Sequence, residues 1–142
     1  MSEWRIEPYR TDHFADVRAL WREAFPDDPP WNAAEVAIPA KLAVQPERFL
    51  VALDGGRAVG SIMAGYDGHR GWLYAVAVRN SHRRRGIGAA LVRAAEERLR
   101  AGGCRKINLQ VRATNRAVIE FYERLGYAVE ERVSLGKRLA EG

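Results

Sequence analysis

The stretch from Trp72 to Leu99 constrains the fold more than any other part of the chain. Trp72 to Val78 is apolar almost throughout, the pattern of a central strand buried on both faces. The chain then turns through His82-Arg83-Arg84-Arg85-Gly86-Ile87-Gly88 into a stripe of helical period, Ile87, Leu91, Val92, Ala95 and Leu99, with Arg93, Glu96, Glu97 and Arg100 opposite. Gly102-Gly103 ends that helix. A buried strand that passes through a tight turn into an amphipathic helix predicts a layer of sheet with helices packed on it.

The flanking segments extend the layer. Trp4 to Pro8 reads as a short strand, and Thr11 as the cap of a helix carrying Phe14, Val17, Leu20, Trp21 and Ala24 on one face; Pro26-Asp27-Asp28-Pro29-Pro30 stops it. Asn32 caps a second, less regular helix toward Val44. Phe49 to Leu53 and Ala58 to Tyr66 flank Asp54-Gly55-Gly56 as a hairpin, with a further turn at Asp67-Gly68-His69-Arg70-Gly71. Lys106 to Val111 is the next strand, Asn115 to Leu125 a helix closed by Gly126, and Tyr127 to Leu139 one or two closing strands. The class is α/β (α+β), and 142 residues with 47% hydrophobic and 29% charged side chains fit one domain, 1–142. The N-terminus lacks the apolar run of a secretory signal, and no stretch is long enough to span a bilayer, so a soluble cytoplasmic protein is expected. Cys104, with no Cys or His at ligand spacing, reads as a small buried residue, and no metal is expected.

The turn into the long helix carries chemistry. The first N–H groups of a helix have no internal partner, and the helix dipole adds partial positive charge there, so such a turn attracts phosphate. Gly86 and Gly88 let backbone approach a ligand, while Arg83, Arg84 and Arg85 supply charge and forked donors. A dinucleotide fingerprint needs a third glycine where Leu91 stands and an acid near Lys106; a Walker loop needs Lys-Ser or Lys-Thr where the chain has Ala89-Ala90. Both are excluded. A merely solvated arginine turn remains an alternative. The net charge of +5 also admits RNA, but the chain lacks the aromatic and glycine signature of an RNA-recognition motif.

Arg83-Arg84-Arg85-Gly86-Ile87-Gly88 is similar to the phosphate motif of the GNAT N-acetyltransferases: Gln or Arg, two residues, Gly, one residue, Gly or Ala. The segment Asn115-Arg116-Ala117-Val118-Ile119-Glu120-Phe121-Tyr122-Glu123-Arg124-Leu125-Gly126-Tyr127 resembles the same family's second motif, an Asn, a Tyr seven later, then Gly-aromatic. Pro30-Trp31-Asn32, the turn from Gly65 to Gly71, and Ser134-Leu135-Gly136-Lys137-Arg138-Leu139 resemble the small bacterial YpeA-type members. The resemblance implies a mixed sheet of about six or seven strands with about four helices. It also implies acetyl-CoA as cosubstrate and a primary amine of a small molecule or peptide as acceptor, attacked directly in a ternary complex. Nucleic acid and membrane are not implied as partners, and the chain would be a monomer or homodimer. By the same resemblance Val76, Ala77 and Val78 pair with pantetheine. Arg83, Arg84, Arg85, Gly86, Ile87, Gly88 and Ala89 hold the pyrophosphate, and Asn115 also serves the cofactor. The backbone N–H near Val76 polarises the thioester carbonyl, and Tyr122 protonates the leaving sulfur. Arg84 stands where many relatives have glycine, and Asn80 where many have proline.

Each role has a plainer reading beside it. Val118, Ile119, Tyr122 and Leu125 share a helical stripe, so Tyr122 also reads as core, and Asn115 as an N-cap. Many relatives carry a glutamate where Trp72 stands, and Trp72 cannot accept a proton; a sensor that holds acyl-CoA without turnover is therefore the competing function. Asp67 and His69 are alternative bases or ordinary turn residues, and Tyr74 lines the acceptor pocket or packs. Trp31 reads as a substrate wall, Trp21 as core, and Asp27 and Asp28 as a hydrated turn or an amine-attracting pair.

Overall fold

The computed structural model describes residues 3–140; Met1, Ser2, Glu141 and Gly142, the ends of the expected single domain, lie outside the described residues. The described chain divides into two compact units, one ending at Leu109 and the other beginning at Gln110.

The first unit is built on a sheet of β1 (Arg5–Pro8), β2 (Phe49–Asp54), β3 (Arg57–Tyr66), β4 (Gly71–Val78) and β5 (Ile107–Asn108), in that spatial order. The first four pair antiparallel; β5 runs parallel to β4. Gly55 and Gly56 turn β2 into β3 at φ of 59° and 83°, the left-handed pair whose twist matches the flanking strands. Helices α1 (Phe14–Ala24) and α2 (Ala34–Leu42) complete one side of the unit: Val17, Leu20, Trp21, Ala34 and Ile38 form a core with Phe49, Val51 and Leu53 of β2. On Gly60 of β3, a Cβ would stand 3.0 Å from Leu91 Cδ1 and 3.2 Å from Ile87 Cγ2, so the helix α3 (Ile87–Ala101) packs where that side chain is missing. Its buried residues Ile87, Leu91, Val92, Ala95 and Leu99 are the stripe read from the sequence. Strand β2 is apolar from Phe49 to Leu53 because all five residues are buried.

Several boundaries differ from expectation. Thr11 caps nothing: Thr11–His13 is a short 3-10 turn, and the backbone N–H of Arg10 donates to His13 Nδ1 at 3.0 Å. Ala33 rather than Asn32 precedes α2. Strand β5 has two residues where six were expected, and β4 is not buried on both faces, since Tyr74 is 51% exposed. Beyond Trp72, β5 offers β4 no further partner.

In the second unit, α4 (Arg116–Arg124) is capped by Asn115, whose side chain accepts from the Val118 N–H, and Gly126 follows at φ 97°. The closing strands expected between Tyr127 and Leu139 do not form among the described residues, so the sheet has five strands rather than six or seven. A strand needs a neighbouring ladder, and Val129, Val133, Leu135 and Leu139 are instead exposed.

Gly71, paired with Ile107 at the start of β4, is closely packed: an added Cβ would lie 2.7 Å from Cys104 Sγ and 3.1 Å from Leu99 Cδ1. Gly71→Ala is expected to lose about 1–3 kcal/mol in urea unfolding. Adding Cys104→Ala, which removes the sulfur, should restore part of that loss.

Candidate functional site

The ladder between β3 and β4 is irregular at one place. Ser61 faces Ala77 and Met63 faces Tyr74, so Ala75 and Val76 together oppose Ile62. Ala75 takes φ 52°, a left-handed conformation that costs a non-glycine residue about 1–2 kcal/mol. The bulge lies in the same stretch, Leu73 to Val78, that β5 leaves without a partner. Val76, Ala77 and Val78 therefore lie on a stretch of β4 that has no β5 partner among the described residues.

From Val78 the chain runs directly into the arginine turn. Arg79 closes the ladder with its N–H on the Val59 carbonyl at 2.8 Å, a 3-10 turn spans Asn80–His82, and Gly86 enters α3 at φ 79° with no side-chain cap. The first intrahelical bond of α3 is from the Ala90 N–H to the Gly86 carbonyl at 3.0 Å; the N–H groups of Ile87, Gly88 and Ala89 precede it and have no partner within the helix. Arg84 is left-handed at φ 65°, the conformation a glycine would take there without strain. Left-handed residues at 84 and 86 alternate with ordinary ones, the pattern that gathers backbone N–H groups into an anion-binding concavity.

Two carboxylates hold this turn from outside. Glu23, near the end of α1, accepts from the Asn80 N–H at 2.7 Å and pairs with Arg79 at 3.8 Å. Asp54, at the end of β2, contacts His82 Nε2 at 2.8 Å and Arg85 at 3.9 Å, while Ser81 Oγ meets the other His82 nitrogen at 2.7 Å. Arg85 is thus partly committed to protein. Arg83 and Arg84 are exposed and form no ion pair among the described residues. Sequence reasoning passed over Glu23 and Asp54, because one reads as a helix surface residue and the other as a hairpin corner.

The other candidates are placed unequally. A cavity of about 360 Å³ between α1 and α2 is lined by Arg18, Trp21, Arg22, Phe25, Pro29 and Glu35, among others. Its wall includes Trp21, read as core, and the neighbours of Trp31 rather than Trp31 itself, which is 42% exposed. Asp67 folds back on its own turn: Oδ1 accepts from the N–H groups of His69 and Arg70, both at 2.7 Å, and these bonds hold its carboxyl below the usual range. Such a carboxylate makes a poor proton acceptor. His69 is exposed in the same turn. Burial, and then the charge of Asp67, push the Tyr74 phenol up. Among the described residues no group of three His, Cys, Asp or Glu side chains converges to hold a metal, and no helix is long and apolar enough to cross a membrane.

In the second unit Tyr122 lies two turns along α4 from Asn115, with its ring edge-on to Phe121 at 5.0 Å and to Tyr127 at 5.6 Å. Burial pushes its phenol up to about 12. A side chain of that basicity stays protonated throughout the neutral range and can donate but not accept a proton.

The sequence profile of the Acetyltransferase (GNAT) family matches residues 11–127. A protein of Sodalis glossinidius named an acetyltransferase is 49% identical over 137 residues, with 96% of each chain covered. The crystal structure of Ard1 from Thermoplasma volcanium superposes with a TM-score of 0.76 at 25% identity, covering 89% of this chain and 84% of that one. The aminoglycoside acetyltransferase AAC(6')-Iy, solved with a bisubstrate analogue that joins CoA to an acetylneamine, has the same fold: TM-score 0.80, 21% identity, 98% of this chain and 100% of that one.

Two outcomes follow from the geometry. Gly86→Ala should cost about 1 kcal/mol by forcing a side chain into the left-handed region, whereas Arg84→Gly should lie near neutral, relief of strain offsetting chain entropy; chemical denaturation of both variants checks this. Tyr122 gives a pH dependence above neutrality. Its phenol ionises near 10 when unfolded and near 12 when folded. The unfolded chain therefore releases its proton first, and stability falls as pH rises through that interval. In Tyr122→Phe the fall between pH 10 and 12 should be shallower.

Proposed function

The chain belongs to the GNAT acetyltransferase family, and from that premise we propose that it transfers the acetyl group of acetyl-CoA to a primary amine of a small molecule or peptide. The observation that carries the donor assignment is the Gly86-entered turn. Its outward N–H groups at Ile87, Gly88 and Ala89, with Arg83 and Arg84 beside them, match the charge and acceptor-rich surface of a pyrophosphate. The open β4 edge at Val76, Ala77 and Val78 suits an amide-bearing chain such as pantetheine, which can hydrogen-bond to extended backbone as another strand would.

Acetyl-CoA, when bound, supplies an activated acyl group whose thiolate departs as the amine attacks. The residues then have distinct tasks. The Val76 N–H, at the bulge, donates to the carbonyl oxygen that gains charge; a preorganised donor of this kind is among the larger contributions an enzyme makes. Tyr122, protonated through the neutral range, gives its proton to the departing sulfur, and Asn115 holds the start of the helix that carries it. Trp72 has no proton-accepting atom, and Asp67 is engaged by its own turn. The amine therefore loses its proton to water or arrives neutral. The α1–α2 cavity is the acceptor side in this reading, with Trp21 and Phe25 giving apolar walls and Arg18, Arg22 and Glu35 polar ones.

The test is amine-dependent release of free thiol from acetyl-CoA across a panel of small amines and peptides, with Tyr122→Phe as control. Turnover by the parent and a loss of about a hundredfold in kcat in Tyr122→Phe, at unchanged acetyl-CoA affinity, is the expected result. Equal kcat in the two would remove Tyr122 from the chemistry.

A further inference from the structure

Ser61, in the middle of β3, is a polar side chain with no solvent exposure at all. A buried hydroxyl must find both a donor and an acceptor, and Ser61 has them on two different elements. Its Oγ accepts from Trp21 Nε1 of α1 at 2.8 Å and donates to the Ala75 carbonyl of β4 at 2.8 Å. The three groups form one directed chain, indole N–H to hydroxyl to carbonyl, that ends on the left-handed residue of the bulge.

The carbonyl of Ala75 and the N–H of Val76 belong to one peptide unit. That unit is planar and trans, since no cis bond occurs among the described residues, so its carbonyl and N–H point in opposite directions. Fixing the first aims the second. A hydrogen bond accepted by the carbonyl also polarises the unit and strengthens its N–H as a donor. The strain at Ala75 needs something to maintain it, and a fully buried hydroxyl held between the Trp21 indole and the Ala75 carbonyl supplies a fixed anchor.

We propose that Trp21 and Ser61 are positioning residues that orient and polarise the Ala75–Val76 peptide for donation to the thioester carbonyl. The inference rests on the acetyl-CoA reading given above. It also joins two parts of the site, because Trp21 is at once the first link of the chain and part of the acceptor-cavity wall.

The experiment needs no acceptor. Acetyl-CoA labelled with ¹³C at the thioester carbonyl is bound to the parent, Ser61→Ala, Ser61→Thr and Trp21→Phe, and the carbonyl stretch is read by infrared difference spectroscopy beside calorimetric affinity. The parent should move the band to lower frequency, as a polarised carbonyl does. In Ser61→Ala and Trp21→Phe affinity should stay within about threefold while most of the shift is lost, and Ser61→Thr, which keeps the hydroxyl, should recover it. A full shift in Ser61→Ala overturns the positioning role while leaving the acetyl-CoA reading intact. No binding by the folded parent overturns both. If Ser61→Ala does not fold, Trp21→Phe decides alone: a full shift there overturns the proposed chain, and a lost shift supports it.

Discussion

Strand β4 has a partner on its β3 side along its length, but on the β5 side only at Gly71 and Trp72. Most of what distinguishes the first unit follows from that inequality. At Gly71, where both neighbours are present, an added Cβ would lie 2.7 Å from Cys104 Sγ. Where one is missing, backbone groups are left over, and the bulge at Ala75 and Val76 interrupts the ladder on the remaining side. The same strand then delivers the chain into a helix start whose N–H groups are likewise unspent within the helix. The β4 stretch that lacks a β5 partner and the start of α3 are thus consecutive along the chain.

Electrostatics around the turn are divided between holding the loop and offering charge outward. Glu23 and Asp54 would oppose an anion if they stood alone, but both are engaged by the turn's own N–H, imidazole and guanidinium groups. They fix its two ends to α1 and β2, which are themselves parts of the buried body. What remains directed outward is positive: Arg83, Arg84 and the start of α3. A fixed loop has less entropy to lose on binding than a mobile one, so the carboxylates favour anion binding even though their sign does not.

The long elements were legible in the sequence because periodicity reports burial. The stripe of α3, the hairpin at Gly55 and Gly56, and the Asn115 cap stand where the pattern placed them. The glycine-entered start of α3 after the three arginines also stands where the sequence placed it. Strand pairing was not legible at the edges. Lys106 to Val111 and Tyr127 to Leu139 have strand-like composition, yet a ladder depends on a neighbour that local pattern cannot supply. Nor did pattern distinguish Trp21 from the rest of its apolar stripe, since the indole N–H that reaches Ser61 does so across 40 residues of chain. Asp67, attractive as a base by type, proved to be spent on its own turn.

We propose above all that the turn from Arg83 to Ala89 binds the pyrophosphate of acetyl-CoA. Calorimetric titration of the folded protein, alongside an Arg83→Ala/Gly86→Ala variant whose fold is verified by circular dichroism, tests it most directly. Saturable binding in the parent, weakened about tenfold or more in the variant, is the predicted result. Equal affinity in the two, or no binding by the parent at high micromolar ligand, would contradict it.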